Sequence, residues 1–140
     1  MAKKIKTAIV LDPMGGIRGD RTPDDEAKEL KSRFEEMLGR KLNVHRPNHA
    51  GDIEVGTELV LFDFGGMLPG AESLMESNAR HLIKWAEEHT SALVIVVSHF
   101  TFTRYVKPEM EALGLTGLPN LVLDDPFENP DGPIPAWWKV

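Results

Sequence analysis

Six consecutive residues, Ala92-Leu93-Val94-Ile95-Val96-Val97, are all apolar. A strand with no polar face has to be covered on both sides, as the central strand of a parallel sheet is between two layers of helix. The rest of the chain fits that demand. Ile5–Leu11, Glu58–Phe64 and Leu121–Leu123 read as further buried strands, and Leu42–His45 as a short one. Between them lie segments of helical period. Ala27, Leu30, Phe34, Met37 and Leu38 place one apolar stripe on a helix over Pro23–Leu38, with Thr22 as its cap, Pro23 as its first residue and Gly39 as its stop. Met75, Ala79, Leu82, Ile83 and Ala86 do the same for Ser73–His89. Phe102, Val106, Met110 and Leu113 predict a third helix that Pro108 interrupts and Gly114 closes.

Strands alternating with helices predict an α/β fold: a flavodoxin-like or Rossmann-like three-layer sandwich of about five mostly parallel strands and about three helices. Right-handed crossovers favour the strand order 2-1-3-4-5. The second strand is the open point. Arg46–Thr57 contains Pro47, Asn48, Gly51, Asp52 and Gly56 and no helical pattern, so it reads as loop. Its length is just sufficient for a parallel crossover, and Leu42–His45 fits a parallel strand or a short antiparallel edge equally well. A single domain is expected over 1–125, followed by an acidic tail, 126–140, that carries four prolines and ends near Trp137-Trp138.

Two of the strands end alike. Asp12 and Asp63 each close an apolar run, lead into a Gly-Gly pair (Gly15-Gly16, Gly65-Gly66), and precede by ten residues a Ser/Thr-x-x-acid helix start, at Thr22 and Ser73. In open parallel sheets the ligand crevice lies outside the carboxyl ends of the strands, at the switch point of strand order. In order 2-1-3-4-5 that point falls between strands one and three, so both loops flank one crevice.

The first loop joins Gly15, Gly16 and Gly19 with Arg18 and Arg21. Glycines let backbone N–H groups approach a ligand, a helix start adds further N–H groups, and guanidinium forks suit phosphate or carboxylate. It matches neither the Walker pattern nor GxGxxG, and its arginines can instead pair with Asp20 and Asp24. The second loop offers Gly65 and Gly66 for close approach, with Phe64, Met67 and Leu68 to cover a ring or to pack beneath the loop. Asp12 and Asp63, on neighbouring strands, can hold Mg²⁺ together with ligand phosphates, or one can stay protonated as an acid, or each can cap a turn. Ser98 and His99 end the next strand; His99 is the candidate acid–base; the alternation of side chains along a strand disfavours a Ser98–His99 nucleophile pair, since at most one of the two faces the crevice unless the strand ends between them. His45, His49 and Asp52 invite a metal reading, but Pro47 denies His45 and His49 a common helix face, which favours solvated loop residues.

The series Asp12, Asp63, Ser98 at successive strand ends is similar in layout to response-regulator receivers, where acids after strand one, a phosphoacceptor Asp after strand three and a Ser/Thr after strand four form a Mg²⁺-dependent phosphorylation site. The likeness stops at α/β geometry. Pro13 stands where receivers pair a second acid, Asp124-Asp125 where they place a Lys, and no helix precedes the third strand.

A net charge of −6 argues against nonspecific nucleic-acid binding, which needs a basic face. With no cysteine, disulfide and thiolate chemistry are absent. The first apolar run stops at Asp12, too short for a signal-peptide core, and no segment reaches transmembrane length, so a cytoplasmic protein without membrane contact is expected. The expected function is binding of a phosphorylated small molecule, a nucleotide fitting best, between the two Asp-Gly-Gly loops. Asp12, Asp63 and His99 would carry any chemistry, and Gly15, Gly16, Arg18, Arg21, Gly65, Gly66 and Ser98 the binding; the motifs do not separate catalysis from sensing. Trp137-Trp138 reads as an anchor of the tail on the domain or on a partner; the alternative function is a regulatory or assembly module that self-associates or meets a protein partner through Trp137 and Trp138.

Overall fold

The computed structural model describes residues 4–11, 23–47, 49–63, 72–97, 108, 111–115, 117–124 and 133–138. Five strands, β1 (Ile5–Val10), β2 (Leu42–His45), β3 (Leu59–Asp63), β4 (Leu93–Val97) and β5 (Leu121–Asp124), form one sheet in the order β2-β1-β3-β4-β5. Every neighbouring pair is parallel. The second strand is therefore no antiparallel edge: Ile5 to Ala8 pair in register with Leu42 to His45.

Two helices are complete among the described residues, α1 (Pro23–Leu38) and α2 (Glu72–Glu88). The third predicted helix lies mostly outside them; Pro108, Glu111 and Ala112 are helical, and Gly114 takes φ +82°. The α1 bounds follow the sequence period, and Gly39, at φ +65°, supplies the left-handed residue that ends it. Met37 departs from the predicted stripe: it stays 37% exposed, because it lies in the last turn, at the margin of the buried face. The second helix starts at Glu72, one residue ahead of the Ser73 expected to cap it.

Strand alternation sorts the core into two layers. Ile5, Ile9, Leu59, Leu61, Leu93, Ile95 and Val97 pack with Ala27, Leu30 and Phe34 of α1. The intervening Ala8, Val10, Val60, Phe62, Val94 and Val96 pack with Ala79, Leu82 and Ala86 of α2. Each helix thus covers its own face of the sheet, as the wholly apolar β4 requires.

The β2–β3 crossover carries a short 3₁₀ turn, Ala50–Asp52, docked on α2. There Asn78, 1% exposed, accepts the Ala50 N–H at 2.8 Å, closing a buried backbone donor that would otherwise cost about 1–3 kcal/mol.

At the far end of α1, Glu35 accepts the Leu42 N–H at 2.9 Å and so joins the helix to the start of β2. That bond, helped by Lys31 and Lys41 and opposed by partial burial, holds the Glu35 carboxyl below its ordinary pKa. A depressed folded-state pKa gives stability that is present above the unfolded value, about 4.3, and lost as the pH falls through the folded one. Glu35→Gln is expected to be less stable than the parent at pH 7 by no more than about 1 kcal/mol. Denaturant midpoints taken between pH 7 and pH 3 should show that gap close on the acid side.

The chain end returns to the sheet. Trp138, 7% exposed, belongs to the α1-side core, and Ile134 packs against the same layer. No helix among the described residues is long and apolar enough to cross a membrane.

Candidate functional site

The strand order sets the geometry of the carboxyl edge. β1, β3 and β4 are adjacent, so the chain leaves the sheet at Leu11, Asp63 and Val97 side by side. Of the predicted site residues, Asp63 alone lies among the described residues; Asp12, Gly15, Gly16, Arg18, Arg21, Gly65, Gly66, Ser98 and His99 lie outside them. The register pairs Val10 with Phe62, so one further step sets Leu11, not position 12, level with Asp63.

Asp63 continues the Leu59, Leu61 parity and therefore faces the α1 side, where it is 4% exposed. In the same row, Asp63 pairs with Val97 and Val97 with Asp124. Asp124, 6% exposed, thus stands two strands from Asp63, about 10 Å away, on the same face. Its carboxylate is not left alone: Arg33 of α1 reaches it at 2.5 Å. The sequence gives no sign of this pair, since Arg33 and Asp124 are ninety-one positions apart and Arg33 reads as an outer-face helix residue.

A second arginine comes to this edge unannounced. Arg46, just past β2, forms an ion pair with Asp24 in the first turn of α1. That turn carries Asp24, Asp25 and Glu26, which suit the positive end of the helix dipole but compete with any anion there. Among the described residues Asp24 thus pairs with Arg46, a residue that reads from sequence as part of a featureless loop.

The histidines of the crossover serve the backbone. His49 Nδ1 accepts the Gly51 N–H at 3.0 Å, and a backbone N–H can only donate. The neutral ring then carries its proton on Nε2 and donates it to Ser77 Oγ at 3.0 Å. This polarity is the reverse of what a base needs to activate a serine, so the His49–Ser77 pair is a structural clasp. His81 Nδ1 donates to the Ser77 carbonyl at 2.8 Å, with its ring edge-on to His49 at 4.6 Å, and His45 Nε2 accepts the Glu54 N–H at 3.2 Å. Among the described residues no three His, Asp or Glu side chains converge on a metal-sized site.

Three hollows formed by described residues lie away from the carboxyl edge. One of about 470 Å³ sits beyond the end of α1, beside Glu35 and Lys41, and two lie at the amino edge of the sheet. No protein-family model matches the sequence, and no curated protein matches it significantly.

Proposed function

We propose that the chain binds a phosphorylated small molecule, a nucleotide fitting best, at the carboxyl edge between β1 and β3. The observation that carries this reading is the all-parallel order β2-β1-β3-β4-β5, which makes the β1–β3 boundary the switch point where such sheets take their ligands. Asp63, buried at that boundary, adds a carboxylate suited to Mg²⁺, whose remaining positions phosphate oxygens and water would fill. Gly15, Gly16, Arg18 and Arg21 would cradle the phosphate and Gly65 and Gly66 admit the rest of the ligand, with Asp12 sharing the metal and Ser98 and His99 lining the neighbouring strand end. Arg46, beside the start of α1, brings a further guanidinium to the same edge.

The test is a thermal-shift panel of nucleotides, sugar phosphates and inorganic phosphate, each with and without Mg²⁺. The reading predicts a Mg²⁺-dependent rise in unfolding temperature with one nucleotide class. A flat panel would overturn it in favour of the interaction module, whose support is the 46% exposure of Trp137.

A further inference from the structure

At the amino edge, opposite the proposed nucleotide site, an open groove of about 530 Å³ runs past Glu58, Glu88, His89, Ser91 and Trp138. It adjoins a second hollow of about 400 Å³ that shares Ser91 and Trp138 and adds the half-exposed ring of Trp137.

Two carboxylates stand on its walls. Glu88 and Glu58 are exposed carboxylates; one Glu58 oxygen takes the Lys6 backbone N–H at 3.2 Å. His89 donates through Nδ1 to the Trp85 carbonyl at 2.7 Å and stacks on Trp85 at 4.3 Å. The walls hold no Lys or Arg among the described residues. Lys6, on the neighbouring strand, is engaged with the Val55 carbonyl at 2.6 Å and Glu54 at 3.3 Å.

A second observation is independent of those side chains. The groove lies at the carboxyl end of α2, the negative end of its dipole, where a cation is stabilised. Helices commonly place Lys or Arg there; α2 has no basic residue in its last turn and ends in Glu87-Glu88. Negative potential and an aromatic face together select a positively charged organic group over a simple metal ion, because the ring attracts the cation and covers its apolar stem.

We propose that this groove binds an organic cation, an ammonium or guanidinium group on an aliphatic stem, with Trp137 covering the stem and Glu58 and Glu88 facing the charge. The same chemistry is offered by a free amine and by a Lys or Arg side chain of another protein. Isothermal titration of the full chain with agmatine, and separately with a short Lys/Arg peptide, distinguishes the two sources. Saturable binding of either probe is expected. It should weaken about tenfold in Trp137→Ala and in Glu88→Gln, both surface changes that leave the unfolding midpoint in place, and stay unchanged in Asp63→Asn. Binding of the peptide alone assigns the site to a protein partner, and comparable binding of agmatine assigns it to a small molecule. No heat with either probe at millimolar concentration, or equal affinity in parent and variants, overturns the proposal.

Discussion

Replacing Trp138 by Ala is expected to destabilise the fold by about 3–5 kcal/mol, the range for deleting a large aromatic from a core. The ring is 7% exposed and packs in the layer that holds Phe34, Leu59 and Leu93. Area gives the same scale: a buried Trp removes roughly 150–250 Å² from water, worth about 4–6 kcal/mol at 25 cal/mol per Å², before the partial collapse of the space it leaves. The cause is architectural. Among the described residues α1 is the one helix on its face of the sheet, and Ile134 and Trp138 cover part of what remains. The neighbouring Trp137, 46% exposed, should change stability by less than about 1 kcal/mol when made Ala. Urea midpoints for the two variants decide the matter; equal midpoints would detach the chain end from the core. It follows that deleting the tail beyond Asp125 unfolds as well as exposes, so Trp137→Ala is the cleaner probe of any partner surface.

The second large effect concerns Asp63. A nucleotide present at a hundred times its dissociation constant stabilises its receptor by about 2.7 kcal/mol, roughly 8 °C for a domain of this size. Asp63→Asn keeps the shape of the side chain and removes the charge that Mg²⁺ requires. The ligand-dependent shift is expected to vanish while the ligand-free protein still unfolds in one cooperative step. A full shift in the variant would show that the carboxylate takes no part.

Local pattern carried the elements, and long-range contact carried what escaped it. The stripe Ala27, Leu30, Phe34 and the stop at Gly39 bound α1 because both depend on neighbours within a turn. The apolar run of β4 implied cover on both faces, and the two core layers supply it. The direction of β2 was not decidable, since four residues and a loop without period fit either pairing; it is settled by a ladder with β1, thirty-seven positions earlier. Arg33 on Asp124 and Arg46 on Asp24 are likewise products of the folded topology, with no periodicity to announce them; Trp138 had two seats open to it, the domain or a partner, and the core holds it. His49 shows the limit from the other side: Pro47 already set a metal role aside in favour of a solvated ring, and only the folded contacts with the Gly51 N–H and Ser77 show that the ring clasps the crossover to α2.

The most direct measurement is amide chemical-shift mapping of the full chain as the Mg²⁺-nucleotide picked out by the thermal panel is added. The largest changes are expected at the carboxyl ends of the strands, at Leu11, Asp63 and Val97, with Glu58, Ser91 and Trp138 at the opposite edge unmoved. Changes centred on that opposite edge, or none at Asp63, would contradict it.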